Sequence, residues 1–207
     1  MCAIHSKSAY LHGQIGQALR SGRYLPGQRI DPMALAAEFA TSPTPVRYAL
    51  ARLAGEGRVA DHARNGLLVP LPTEIALRDQ YDWQERLLSM ALEAGVPPAA
   101  DTVDRGRSAD GQEALETWRL FDAIARATSL RPLQDALRQA NDRLAPIRWA
   151  KQALVVDASP TPAELAGHWQ RRDLPALRAG LQRYHALRRH LVPQIIALLV
   201  DRRDRLS

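Results

Sequence analysis

The chain has 207 residues, of which 46% are hydrophobic and 24% charged, a composition typical of a folded protein rather than a disordered one. Its single cysteine, Cys2, excludes an intrachain disulfide, a CxxC redox pair and a cysteine-based zinc site. The formal net charge is +6, and residues 1–72 hold 8 Lys and Arg against 4 Asp and Glu, so we expect an anionic partner at this end. The sequence shows neither a secretory leader pattern nor an apolar run long enough to cross a bilayer, so we expect a cytoplasmic protein without a membrane partner.

Apolar residues at helical spacing predict three short helices in residues 1–57. Their inward faces are Leu11, Ile15, Ala18 and Leu19; then Leu35, Ala36 and Phe39; then Val46, Ala49, Leu50 and Leu53. Pro43 and Pro45 fit the first turn of the third helix, where Ser42 or Thr44 can serve as a cap. Two short strands are predicted at 58–60 and 67–69, joined by a turn. The order helix, helix, turn, helix, hairpin predicts a winged helix-turn-helix.

Pro70, Pro72 and Thr73 separate this region from a longer helical one, so we predict two domains, 1–72 and 73–207. About six helices are predicted in the second domain, at 75–94, 111–128, 132–145, 147–157, 162–172 and 174–202, with a loop at 95–110. The third and fourth are alternatively one helix kinked at Pro146, and Pro193 is expected to kink the last. The predicted fold class is therefore mainly α, a winged helix-turn-helix followed by an all-α antiparallel bundle.

Residues 42–53 have the pattern of a recognition helix, which needs an apolar back face and short polar or basic side chains near its N-terminus. The residues predicted to contact double-stranded DNA are Ser42, Thr44, Arg47, Tyr48 and Arg52, with Arg64, Asn65 and Gly66 at the tip of the wing. Arg47 suits either a guanine edge or a phosphate, and Thr44 suits a phosphate bound together with free helix-terminal amides. Gly66 lets the wing approach DNA closely because it has no Cβ.

Two other classes of function fit the sequence less well. An enzyme is disfavoured because the chain has no Gly-rich phosphate loop, GxSxG elbow or HExxH motif. A winged-helix interaction module that has lost DNA binding is the alternative, since Pro43 changes the start of the recognition helix. The arginines of this helix and the N-terminal excess of positive charge favour DNA binding instead.

Residues 10–70 resemble the DNA-binding domain of the GntR family of bacterial transcription regulators. The similarity lies in the runs Pro26–Ile30, Leu35-Ala36 with Phe39, Ser42–Arg47 with Ala49-Leu50, and Glu56-Gly57 with Val59, Gly66 and Val69. The chain has Pro43 where the family usually has arginine, and Ala40 where it usually has glycine. The resemblance implies a regulator, such as a repressor, that binds a short palindromic operator as a homodimer.

The second domain is similar to the FCD-type effector domain of the FadR-like branch, which implies a small-molecule effector such as an organic acid. Members commonly bind a divalent metal through an aspartate, a histidine one turn later and two further histidines. These positions align with Trp118, Asp122, Pro162 and Tyr184, of which only Asp122 is a good ligand. An alternative metal ligand set, formed by His168, His185 and Asp122, requires a shifted alignment with the family pattern.

We therefore expect no metal, and either a metal-free effector pocket or no pocket, with Trp118 and Tyr184 filling the former ligand space. The predicted pocket residues are Trp118, Asp122, His168 and Tyr184. The arginines at 119, 126, 138, 143 and 148 are expected to form a solvated face, with one of them as a possible anchor for an anionic effector.

Overall fold

The computed structural model describes residues 2–63, 66–94, 112–154 and 160–205. The predicted fold class is confirmed, because this part of the chain is mainly helical with one small antiparallel pair of strands. The elements are α1 (Cys2–Arg20), α2 (Pro32–Glu38), α3 (Pro43–Gly55), β1 (Ala60–His62), β2 (Gly66–Leu68), α4 (Glu74–Glu93), α5 (Gln112–Ala127), α6 (Arg131–Ala150), a 3₁₀ turn (Gln152–Leu154), α7 (Pro162–Gln170), α8 (Leu174–His190) and α9 (Val192–Arg205).

The chain forms two compact units, Met1–Leu71 with Leu199–Ser207, and Pro72–Leu198. The residues of α9 are thus divided between the units, whereas the sequence assigns all of 73–207 to one domain. The functional division near residue 72 stays a prediction.

The first unit has an apolar core that follows the predicted helical faces. It consists of Leu11, Ile15 and Leu19 from α1, Leu35 and Ala36 from α2, Val46, Ala49, Leu50 and Leu53 from α3, and Ile30, Val59 and Val69 outside the helices. Each large aliphatic side chain removed from water contributes about 1.5–3 kcal/mol to folding. Because these residues occupy one side of α3, the opposite side of that helix is left to solvent.

The turn between α2 and α3 contains an alanine in a left-handed conformation. Asp31 caps the start of α2, its Oδ1 accepting a hydrogen bond of 2.8 Å from the Met33 amide. After α2 ends, Ala40 has φ +46°, and the Thr41 amide donates to the Ala36 carbonyl at 2.9 Å. A Cβ in this conformation costs about 1–2 kcal/mol, which explains why glycine suits this position better.

The wing strands are shifted from the predicted bounds. The amides of Arg58 and Val59 both donate to the Leu53 carbonyl, at 2.9 and 3.4 Å, so these residues close the end of α3 and β1 begins only at Ala60. Residues of β1 and β2 pair antiparallel, with Ala60 opposite Leu68. Arg29 forms a further bridge to Leu68, which ties the wing to the segment before α2.

The second unit is a helical bundle with a continuous core contributed by α4, α5, α6, α7 and α8. The largest buried side chains of this core are Phe121, Trp169 and Tyr184. Helices α7 and α8 approach closely at Gly180, where an added Cβ would lie 2.6 Å from Leu165 Cδ2. The predicted loop at 95–110 lies outside the described residues, and so does the end of the helix predicted at 147–157.

Two prolines have different effects on the helices of this unit. Pro146 lies inside α6, so the alternative of a single third helix is the correct one, with residues 147–150 as its last turn. Pro193 ends the predicted helix 174–202, which is instead divided at Leu191 into α8 and α9. A proline has no amide to donate to the Arg189 carbonyl four residues earlier. That carbonyl accepts a hydrogen bond of 2.7 Å from Arg78 Nη1 instead.

None of the helices in the described ranges is both long and apolar enough to cross a membrane.

Candidate nucleic-acid interface

The N-terminus of α3 lacks the side-chain cap that the sequence suggests. Ser42 occupies the N-cap position with extended backbone angles, φ −74° and ψ 157°, but its hydroxyl makes no capping hydrogen bond. A cap residue normally bonds the amide two or three positions later, and the third position here is Pro45, which has no amide. Pro43 likewise offers none, so only the amides of Ser42 and Thr44 remain at this end for a phosphate.

The two faces of α3 differ in burial as predicted. Val46, Leu50 and Leu53 are fully buried in the core of the first unit. The five residues predicted to contact DNA from this helix and its cap, Ser42, Thr44, Arg47, Tyr48 and Arg52, are all exposed. Tyr48 is 62% exposed and offers a partner both an aromatic ring and a hydroxyl group.

The two arginines of α3 have different electrostatic surroundings. Arg52 Nε lies 3.5 Å from Glu56 Oε1, and the same carboxylate contacts Arg58 at 3.6 Å and His12 at 2.8 Å. Arg47 forms no ion pair or hydrogen bond through its side chain with any other residue that the structure describes. The Arg47 guanidinium is therefore available for an anion, whereas Arg52 is partly neutralised.

A groove of about 730 Å³ runs beside the start of α3 and includes a residue that the sequence interpretation missed. It is lined by Lys7 from α1 and by Ser42, Thr44 and Pro45, together with residues of the α2–α3 turn. Lys7 adds an exposed cation next to the N-terminus of the recognition helix. Lys7 lies one turn before Leu11, in line with the apolar face of α1, so helical spacing gave no signal for this role.

The wing residues Arg64 and Asn65 lie outside the described residues. Gly66 begins β2 with φ +67°, a conformation that glycine adopts without strain. The Arg29 guanidinium lies beside it, with Nη2 3.7 Å from the position that a Cβ on Gly66 would take. Arg29 is exposed and is a second basic residue near the wing that sequence reasoning did not select.

Comparison with known proteins finds a family match for the first unit. Residues 8–69 match the family described as bacterial regulatory proteins, gntR family. The first unit carries a GntR-family DNA-binding domain. The family is one of regulatory proteins rather than enzymes. No curated protein matches the sequence.

Two solved structures are similar to the whole chain. A putative transcriptional regulator GntR from Rhodococcus sp. RHA1 covers 91% of this chain and 98% of its own length, with a TM-score of 0.69 and 16% identity. The E. coli protein McbR/YncC covers 95% of this chain and 98% of its own length, with a TM-score of 0.51 and 20% identity. At these identities the likeness shows a shared fold, and the assignment of the second unit to the FadR-like FCD branch stays a prediction.

The four residues predicted to form an effector pocket in the second unit lie in different surroundings. Trp118 and Asp122 both face α6: Trp118 Nε1 donates to Asp142 Oδ1 at 2.8 Å, and Asp122 pairs with Arg126 at 3.2 Å and Arg138 at 3.4 Å. No described cavity has either residue in its lining.

Tyr184 and His168 lie elsewhere in the unit. The Tyr184 ring is buried against Phe121, edge to face at 5.7 Å. His168 is partly exposed at the end of α7, where its Nδ1 lies 3.9 Å from Asp173 Oδ2. Of the four predicted residues, only Tyr184 lines a described cavity.

The side chains at the family's metal positions do not fit a divalent cation. The Trp118 indole can only donate a hydrogen bond, and the carboxylate of Asp122 already pairs with two arginines. In the alternative set, His185 Nδ1 is hydrogen-bonded to the Leu181 carbonyl at 2.8 Å. The described ranges contain no group of three or more His, Cys, Asp or Glu residues that could hold a metal.

The prediction of a solvated face is wrong for one arginine of the second unit, Arg148. The sequence places it on a solvated face, yet its exposure is only 3%. Arg126, Arg138 and Arg143 are exposed as expected, because they occupy the outer sides of α5 and α6. Helical spacing does not distinguish these positions, since the bundle also buries the side of α6 that carries Arg148.

Proposed function

We propose that the protein is a sequence-specific DNA-binding transcription regulator that acts in the cytoplasm as a homodimer. The observation that carries the proposal is the exposed face of α3, where Arg47 has no partner among the described residues and Ser42, Thr44 and Tyr48 lie on the same side. A helix of this kind reads base edges in the major groove, while basic residues near it bind phosphates. Two further exposed cations lie in this unit, Lys7 beside the N-terminus of α3 and Arg29 beside the wing.

A homodimer is supported by the exposed side of α4. Ile75, Trp83 and Met90 are 74%, 52% and 50% exposed and lie on one stripe of this helix, because residues seven or eight apart are two turns apart. Large apolar residues gathered on one exposed stripe are typical of an interface. We propose a second copy of the chain as the partner, since a two-fold dimer presents two recognition helices to the two half-sites of a palindrome.

A small-molecule effector is proposed to act through the second unit. An effector that binds one arrangement of the bundle more tightly than another changes operator affinity by no more than that difference in affinity. The four pocket residues predicted from the family do not support this step, because the structure does not bring them together. A different part of the bundle, described in the next subsection, supports it better.

DNA binding is tested by selecting bound duplexes from a random library with the purified protein, followed by affinity measurements at several salt concentrations. We expect a short palindrome whose binding weakens steeply with salt, since each phosphate contact releases counterions. Failure to enrich any duplex, with or without candidate effectors, would favour the alternative function, a winged interaction module that no longer reads DNA.

Dimerisation is tested by sedimentation of a Trp83→Arg variant. We expect the variant to be monomeric at concentrations where the wild type is dimeric, because a charge on the apolar stripe opposes its burial. Leu130→Arg is the matched control, since Leu130 is 51% exposed but lies outside α4. A dimeric Trp83→Arg protein would show that the interface lies elsewhere.

A further inference from the structure

The second unit buries three basic side chains in one place. Arg148, Lys151 and Arg188 are 3%, 2% and 2% exposed, and all three line the same small cavity. None of them forms an ion pair of 4 Å or less with a carboxylate of the described residues. Buried cations are rarely left without a counter-charge, because removal from water is costly unless an anion or several hydrogen bonds replace the lost hydration.

The hydrogen bonds of the three cations are incomplete. Arg148 donates to the Asn141 carbonyl and to Gln84 Oε1, both at 3.1 Å, and Arg188 donates to the Tyr184 carbonyl at 3.3 Å. The Nε atoms of both arginines are buried without a partner among the described residues. The Lys151 ammonium forms no hydrogen bond with any other part of the chain that the structure describes.

Aromatic rings provide part of the missing stabilisation. The Arg188 guanidinium lies 3.6 Å from the centroid of the Tyr184 ring, and the Arg148 guanidinium lies 5.3 Å from the centroid of Phe121. Cation–π contacts of this kind favour the charged form. They leave Lys151 unaided, and desolvation together with the two neighbouring guanidinium groups lowers the pKa of its ammonium well below the usual value.

The cavity between these groups holds about 10 Å³, room for one water molecule or one small ion. Its lining also includes Thr117, the Tyr184 ring and Glu113, a partly exposed carboxylate. With Glu113 ionised, the Tyr184 hydroxyl neutral and the three basic groups protonated, the lining carries a net excess of two positive charges. The positive charges and the unsatisfied Nε donors thus belong to residues that line one cavity.

We infer that this cavity, lined by Arg148, Lys151 and Arg188, binds the anionic oxygen group of a small molecule, a carboxylate or a phosphate. The inference rests on the proposed function, in which the second unit binds an effector. Guanidinium groups donate to carboxylate or phosphate oxygens through a planar fork, and an ammonium adds a point charge. The present volume holds about one water molecule, so the cavity must widen to take an oxyanion, and an anion that binds the widened arrangement more tightly shifts the bundle toward it.

The test measures thermal unfolding and binding heats of the full chain, without DNA, in a zwitterionic buffer of low chloride content. Sodium formate, acetate, phosphate and sulfate are titrated separately at constant ionic strength. We expect at least one of them to raise the melting temperature by about 3–6 °C at ten times its dissociation constant. Formate and acetate represent a carboxylate, and phosphate and sulfate represent a phosphate-like group. The pair that gives the larger rise in melting temperature identifies the class of ligand.

A Lys151→Met variant separates an anion site from a structural lysine. Methionine has a similar length without the charge, so the variant is expected to be more stable than the wild type in anion-free buffer and to lose the stabilisation by anions. Arg183→Met, which removes an exposed cation from α8, is the matched control and is expected to keep the wild-type response.

Two results would overturn the inference. The first is that every oxyanion raises the melting temperature of Lys151→Met as much as that of the wild type. The second is that Lys151→Met is less stable than the wild type in the absence of anions, which would show that the ammonium already has a partner in the protein. Neither result bears on the proposed DNA binding, which the library selection measures separately.

Discussion

The two units use basic residues in opposite ways. In the first unit, Arg47 and Arg52 lie on the exposed side of α3, where water surrounds them until DNA binds. In the second unit, Arg148 and Arg188 are buried in the bundle, where neither has a carboxylate partner among the described residues. An exposed arginine costs the fold almost nothing, whereas a buried one must recover its hydration from protein groups or from a ligand.

Under the two proposals, each unit meets an anion in a different way. A long charged surface such as DNA is met by exposed side chains that keep their mobility, and the attraction is weakened by salt. A small anion is met by donors fixed in an enclosed space, where salt screens the attraction much less. Four predictions examine this contrast, beginning with the one of largest expected effect.

The first prediction concerns His185, which lies among the buried cations. Burial, followed by the neighbouring arginines Arg148, Arg189 and Arg188, lowers the pKa of His185 to about 3, although its hydrogen bond to the Leu181 carbonyl acts in the other direction. In the unfolded chain the imidazole has a pKa of about 6.5, so between about pH 3 and 6.5 only the unfolded state is protonated. Its contribution to stability is therefore complete above pH 6.5 and is lost at up to about 1.4 kcal/mol per pH unit as the pH falls below it.

Denaturant unfolding of the wild type and of His185→Asn between pH 4.5 and 7.5 measures this slope. We expect a smaller dependence on pH in the variant, whatever its absolute stability. His190→Gln, which removes an exposed imidazole near the end of the same helix, is expected to keep the wild-type slope. If the free energy of unfolding has the same pH slope in the wild type and in His185→Asn, then His185 is not held neutral by burial and the neighbouring arginines.

The second prediction concerns Arg47, the exposed counterpart. Arg47→Ala is expected to weaken operator binding by about 1–3 kcal/mol, roughly 5- to 150-fold, without changing the melting temperature. Arg47 is proposed to contact DNA, and its side chain is exposed rather than part of the core. Fluorescence anisotropy with the selected operator measures the loss. Arg183→Ala serves as the control, and an equal loss in both variants would remove Arg47 from the reading face.

The third prediction concerns the turn that positions α3. Ala40→Gly is expected to raise the free energy of unfolding by about 1 kcal/mol, since glycine adopts the left-handed conformation at φ +46° without the strain of a Cβ. Ala51→Gly, on the exposed side of α3, should instead lower it by about 1 kcal/mol. If chemical denaturation shows a loss of stability for both variants, Ala40 is not strained in solution.

The smallest effect is expected from metal removal. EDTA is predicted to leave the melting temperature unchanged, because the donors at the metal positions are committed to Arg126, Arg138 and the Leu181 carbonyl. A clear fall in melting temperature with EDTA, followed by recovery when a divalent metal is added in excess, would mean that the bundle does hold a metal. Calcium-saturated EDTA is the control for effects of the chelator itself.

Sequence patterns were reliable for the first unit because its elements are short and locally signalled. Apolar spacing predicted the core faces of α1, α2 and α3, and the prolines marked the first turn of α3. The strands were misplaced by up to two residues, because the amides of Arg58 and Val59 bond back to Leu53, a contact that β propensity does not reveal. Likewise, Pro45 removed one of the two amides that a Ser42 cap could bond.

Sequence alone determined that this chain folds as a winged helix-turn-helix followed by helices, and that α3 carries polar and basic residues on one face. Those properties depend on residues three or four positions apart, which a linear pattern records. Only the tertiary structure decided which basic residues are buried. Arg148 and Arg188 come from α6 and α8 and Lys151 from just beyond α6. They meet at one cavity because α5, α6 and α8 pack around it, a relation between distant segments that no local spacing encodes.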